Sequence, residues 1–177
     1  MATREDPPTT RLSTPHVPIH FVPAKAGEII KLGSALTLRV MEDGSHTDNR
    51  LGAVELIIPP RTSGPPLHWH EMHDETFLVT KGTVRFHYPV MEGPGDGDGG
   101  FHADARVGDY VVVGTRAPHT FSNPFGEEAR FFNTFTPAFY VNYFKLMAEL
   151  LQGGEMTPEV NMQAMASYAT IPVEKRG

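Results

Sequence analysis

The 177-residue sequence predicts an all-β chain, a small antiparallel β-barrel or sandwich followed by two C-terminal α-helices. Three observations lead there. From Glu28 to about Phe135, short runs of β-branched and aromatic residues are cut apart by Gly, Pro and Asp. Almost no apolar pattern in that span has helical spacing. After Pro137 the period lengthens to that of a helix.

Residues 1–25 hold five prolines and several Ser and Thr residues. They offer too little apolar surface to fold alone, and read as an arm that wraps the domain or a partner subunit, or as a disordered tail. Residues 26–136 form the barrel, with strands at EIIKL, ALTLRV, GAVELII, ETFLVT, TVRFHY, DYVVV and ARFFNTF. The stretch from Met91 to Gly100, MEGPGDGDGG, links two strands as a long flexible hairpin loop. It lacks the tandem nonapeptide repeats that a calcium site of this composition requires.

Residues 137–177 form a helical appendage. Phe139, Tyr143, Met147, Leu150 and Leu151 recur at helical spacing and stop at Gly153-Gly154. A second short helix follows Thr157-Pro158-Glu159, with threonine as cap and proline in the first turn. The apolar stripe of these helices, with Met156, Met162 and Met165, is expected on the outer sheet or at a dimer interface. The alternative is that it closes one end of the barrel over a pocket.

Composition narrows the function classes. With 40% apolar residues and no charged tract, the chain fits one globular domain. A net charge of -6, without a Lys/Arg cluster, argues against nucleic acid or an anionic membrane as partner. The longest apolar runs, such as Tyr110 to Val113, fall far short of the ~20 residues that span a bilayer. The opening MATREDPPTT lacks the apolar core of a secretory signal, so the expected location is the cytosol. There is no cysteine, so any metal must be held by nitrogen and oxygen.

The chemistry concentrates in GPPLHWHEMHDETFLVTKG, residues 64–82. In an extended strand His68 and His70 project from one face while Trp69 faces the other. Past a turn at Met72 to Asp74, Glu75 opens the next strand, where its carboxylate can close on the same point. A third nitrogen comes from GDYVVVGTRAPHTFSN, residues 108–123, in which His119 begins a strand after a turn. HEMH is one residue short of the helical zinc pattern H-E-x-x-H, which leaves a supporting or loop role for His73, and Glu71 unassigned. His16, His20, His46, His87 and His102 read as ordinary surface or core histidines.

These two segments resemble the paired motifs of the cupin superfamily. His68, His70, Glu75 and Gly82 meet the first pattern, G-x5-H-x-H-x3,4-E-x6-G, except that the leading glycine is Gly64, only three residues before His68. Gly108, His119 and Asn123 meet the second, G-x5-P-x-G-x2-H-x3-N, with Gly114 in place of its proline and Arg116 in place of its second glycine. The resemblance implies a jelly-roll barrel holding one divalent metal through His68, His70, Glu75 and His119. Iron, manganese, nickel, cobalt and zinc suit such ligands about equally. It also implies a homodimer.

Such a site keeps positions open, which favours catalysis. The leading expectation is an O2-dependent dioxygenase similar to quercetinase-like small cupins, acting on a small aromatic or polyketide-like molecule with Glu75 as proton acceptor. The alternative is a non-redox isomerase, cyclase, decarboxylase or lyase on a similar substrate, and a third is a non-catalytic binding protein. Arg116 and Asn123 are expected at the substrate, together with Phe77 and Phe121. The latter two belong to an aromatic series with Trp69, Phe86, Tyr88, Tyr110, Phe132 and Phe135, which is otherwise read as barrel filling.

Overall fold

The structure, a computed structural model, describes residues 16–89 and 100–173. In chain order its strands are β1 (Glu28–Leu32), β2 (Leu36–Glu42), β3 (Gly52–Ile58), β4 (Thr62–Ser63), β5 (His68–His70), β6 (Asp74–Lys81), β7 (Thr83–Pro89), β8 (Gly100–Arg106), β9 (Tyr110–Val113), β10 (Thr120–Asn123), β11 (Ala129–Thr136) and β12 (Thr170–Pro172). A 3-10 turn, Ala138–Tyr140, leads into helix α1 (Val141–Gln152), and helix α2 (Pro158–Ser167) follows.

Six strands form one sheet in the order β1-β2-β3-β11-β6-β9, and four form a second in the order β4-β10-β7-β8. Every pairing is antiparallel, as short connections require. β12 pairs with β5 in a two-stranded ladder. A single bridge between His68 and His119 ties β5 to the start of β10.

The core lies between the sheets because the inward positions alternate with period two. On β11, Ala129, Phe131, Asn133 and Phe135 are buried while the residues between them are partly exposed. Phe131 meets Phe77 edge-on at 5.1 Å, and Phe77 meets Phe86 at 5.2 Å. The β6–β7 turn depends on Gly82, at φ +65°, where an added Cβ would lie 2.7 Å from the Glu128 carbonyl oxygen.

α1 is fixed to the barrel by Lys145, whose ammonium lies 3.2 Å from both Asp43 and Glu28. Its first residue packs where Gly52 has no side chain, since a Cβ there would come within 2.8 Å of Val141. The Thr157 hydroxyl caps α2, accepting from the Val160 amide at 3.2 Å. No helix among the described residues is long and apolar enough to cross a membrane.

The expected strands and both helices are present, but β4, β8 and β12 were not foreseen. β8 has the sequence GFHADAR, poor in β-branched residues, and is held by its ladder with β7 and by a two-point ion pair from Arg85 to Asp104. The Gly-rich loop lies outside the described residues except for Gly100, and so do residues 1–15 of the N-terminal arm.

Alternation on β11 also separates two adjacent phenylalanines. Phe131→Ala is expected to cost about 3–5 kcal/mol, as for a large core deletion, and Phe132→Ala less than about 1.5 kcal/mol. Chemical denaturation of both variants checks this, and equal losses would contradict the register.

Candidate metal centre

β5 is a three-residue strand with both ends buried, so His68 and His70 project into the barrel while Trp69 stands against Ile171 of β12 on the opposite side. The backbone bridge brings in His119: its amide donates to the His68 carbonyl at 2.8 Å, and the His68 amide returns a bond of 3.1 Å. The His68 ring lies 4.7 Å from that of His70 and 4.7 Å from that of His119, centroid to centroid. Glu75, at the buried start of β6, faces them, with Oε1 3.1 Å from His70 Nε2 and Oε2 3.7 Å from His119 Nε2.

Hydrogen bonds on the far side of each ring decide which nitrogen is free. His68 Nδ1 lies 2.7 Å from the Pro66 carbonyl oxygen, and His119 Nδ1 lies 3.0 Å from that of Ala117. A carbonyl only accepts, so both rings carry their proton on Nδ1 and present a bare Nε2 lone pair. His70 Nδ1 lies 3.0 Å from the Thr170 hydroxyl, itself turned to the Tyr168 carbonyl, which assigns the same tautomer. His70 Nε2 is then a buried acceptor without a hydrogen-bond partner, facing a carboxylate oxygen.

Two lone pairs at that separation repel unless a positive charge lies between them, so the residues present fit a divalent cation. Nitrogen and carboxylate oxygen without sulfur are the donor set of catalytic zinc, iron and manganese centres. Two overlapping groups have donor atoms within 4.8 Å of one another: His68, His70 and His119, and His70, His73 and Glu75.

The electrostatics agree. Burial, and then the neighbouring His119 and His70, push the His68 imidazole down to about 4, which keeps it neutral and ready to coordinate. Burial also lowers His70, against the pull of Glu75. His119 is the exception: burial pushes it down, but the Glu75 carboxylate outweighs this and holds it above the usual imidazole value. Burial would raise the Glu75 carboxyl, yet its contacts with His119, His70 and His73 hold it well below the ordinary range.

His68, Glu75 and His119 open into a cavity of about 300 Å³. Phe77, Phe121 and Phe131 form its barrel wall, and Tyr143, Phe144 and Met147 of α1 and Met165 of α2 close it. The helices therefore close one end of the barrel over a pocket, the alternative to packing on the outer sheet. Burial, followed by the Glu75 charge, pushes the Tyr140 phenol in the wall well above its usual range, so it stays protonated. No Lys or Arg lines the cavity among the described residues.

Of the four residues expected at the substrate, Phe77 and Phe121 line the cavity and two others do not. Arg116 is exposed and ion-paired with Glu71 through both Nε and Nη2, which gives Glu71 its partner, and it does not line the cavity. Asn123 is fully buried, with Nδ2 donating to the carbonyls of Ile58, Pro59 and Glu127 and Oδ1 accepting from Phe125, so its amide staples a turn. Phe132, Tyr88 and Tyr110 fall on outward positions, and none of them lines the cavity.

Residues 54–135 match the family described as the cupin domain. That segment, 82 of the 177 residues, is a cupin domain by this match. Among solved structures, the chain is similar to an RmlC-like cupin from Shewanella frigidimarina NCIMB 400, with 21% identity and a TM-score of 0.53 over 68% of this chain and 93% of that one. KdgF from Halomonas sp. is 18% identical with a TM-score of 0.52, covering 67% and 94% of the two chains. The polyketide cyclase RemF from Streptomyces resistomycificus is 16% identical with a TM-score of 0.54, covering 73% and 98%. At these identities the likeness is one of fold. No curated protein matches the chain.

Two features of the site carry no mark in the sequence. Thr170 reaches His70 because β12 pairs with β5 in register Thr170 to His70, across a separation of 100 residues. Tyr140 reaches the cavity from the 3-10 turn, and helical spacing alone did not select it.

His68→Ala and His119→Ala are expected to abolish metal uptake, read by mass spectrometry of the purified protein. Asn123→Ala should leave uptake intact and cost about 1–3 kcal/mol of stability, because buried carbonyls lose their donor. Full metal content in either histidine variant would overturn the ligand assignment.

Proposed function

We propose that this cupin is a metal-dependent enzyme acting on a small, apolar, oxygenated molecule of aromatic or polyketide-like type, and that it is a dioxygenase. The observation that carries this reading is an ionised, buried carboxylate beside three converging imidazole lone pairs, at the floor of a cavity walled by aromatic and aliphatic side chains. His68, His70, His119 and Glu75 would hold one divalent ion. When bound, such an ion lowers the pKa of a coordinated hydroxyl and, if redox-active, activates O2.

The chain's own residues supply the rest. Glu75 is ionised at neutral pH, hence available as a base, but its lowered pKa restricts it to acidic protons such as that of a phenol or enol. Phe77, Phe121 and Phe131 present ring faces and edges suited to a flat apolar substrate. The protonated Tyr140 offers a hydrogen bond to substrate oxygen. A wall without Lys or Arg gives no counter-charge to phosphates or simple carboxylates, which favours a neutral molecule.

A non-redox cyclase or isomerase is the second reading. It is favoured by the same base and pocket, which serve enol chemistry without O2, and by the likeness in fold to a polyketide cyclase. Metal-loaded protein with flavonols and polyhydroxylated aromatics on an oxygen electrode is expected to consume O2 with substrate. Glu75→Gln should keep much of its metal and lose turnover. Product formed equally well under argon would move the assignment to the second reading.

We also propose a second copy of this chain as partner. Val17, Ile19 and Phe21 expose alternate side chains along the segment before β1, and Tyr110 and Val112 do the same on the edge strand β9. Light scattering after gel filtration should give twice the 19.5 kDa chain mass. The mass should fall to that of one chain in a Val17, Ile19, Phe21 to Ser variant.

A further inference from the structure

Among the buried histidines of the site, His73 departs from the pattern of the other three. Its Nε2 lies 3.2 Å from Glu75 Oε1, while its buried Nδ1 has no partner among the described residues. A carboxylate oxygen only accepts, so the proton is on Nε2 and Nδ1 is the bare nitrogen. His68, His70 and His119 each have an acceptor on the far side that frees Nε2 for a cation, and His73 has none. Its geometry suits a donor to the carboxylate.

The ring is immobilised by its neighbours. Its side chain is fully buried, tilted on Tyr140 at 4.3 Å and edge-on to Phe135 at 5.9 Å and Phe139 at 5.7 Å. One N–H is thus held in fixed direction toward one oxygen of Glu75, leaving Oε2 as the oxygen on the His119 side.

We infer that His73 is a positioning residue for Glu75: its Nε2–H anchors Oε1, the oxygen that faces His70, and so fixes the rotation of the carboxylate against the ligand nitrogens. This rests on the metal-centre reading given above and goes beyond it. The anchored oxygen remains oriented for proton transfer.

The test is titration of the metal-free protein with Co(II), followed by affinity and by the visible absorption bands, which report coordination without any turnover. His73→Phe keeps the ring contacts and removes the donor, and is expected to weaken Co(II) binding by about 10-fold or more and shift the bands. His73→Gln, which retains an N–H, should recover part of both. In a Glu75→Gln background His73→Phe should change neither, because His73 acts through that carboxylate. Should His73→Phe not fold, His73→Leu in the same two backgrounds reads the same coupling.

An unchanged affinity and spectrum in His73→Phe would overturn the inference. So would an equal loss in both backgrounds, which would make His73 a ligand or a packing residue in its own right. The metal-centre reading fails separately, if the unmodified protein takes up no Co(II).

Discussion

The site depends on one electrostatic constraint: three imidazole nitrogens and a carboxylate, all acceptors, converge where the side chains are buried. Left to themselves these lone pairs repel, and burying them costs more than leaving them solvated. A positive charge among them resolves the conflict. The upward pull of Glu75 on His119 shows that a proton there is one resolution, and a divalent ion is the other. The remaining features preserve that tension: carbonyls of Pro66 and Ala117 and the hydroxyl of Thr170 prevent each ring from relieving it by changing tautomer.

The barrel supplies the rigidity this requires. His68 and His70 sit on a strand of three residues that could not stand alone, and it is flanked by two others: the antiparallel bridge to His119 on one side and β12 on the other. Glu75 comes from the neighbouring large sheet, where β6 lies between β11 and β9. Ligands from separate ladders move little relative to one another when both ladders share a packed core, here built around Phe77 and Phe131.

Much of this was legible in the sequence. Period-two spacing places His68 and His70 on one face, and the strand-opening positions of Glu75 and His119 survive intact in the fold. Thr157 and Pro158 likewise mark a real helix start. What stayed hidden involves long-range pairing or a choice between adjacent residues. Phe132 was read as part of the aromatic filling, where alternation in fact turns Phe131 inward, because nothing local fixes the phase of ARFFNTF. Asn123 and Arg116 occupy motif positions, yet their partners, three carbonyls and Glu71, lie in other segments, and those partners decide what the side chains do. β12, three residues long and ending in proline, is too short to announce itself despite its two β-branched residues, and it is held where β5 offers it an edge.

That last pairing bears on how the protein is made. His70 and Thr170 are 100 positions apart, so a nascent chain can close most of its barrel while the segment that orients His70 is still inside the ribosome. Until it emerges, the His70 ring is free to sit in either tautomer and the β5 edge is unpaired. The arrangement around His70 is therefore completed later than the barrel that carries it. A chain cut short before Thr170 would keep most of the barrel's ladders while losing the hydroxyl that orients His70.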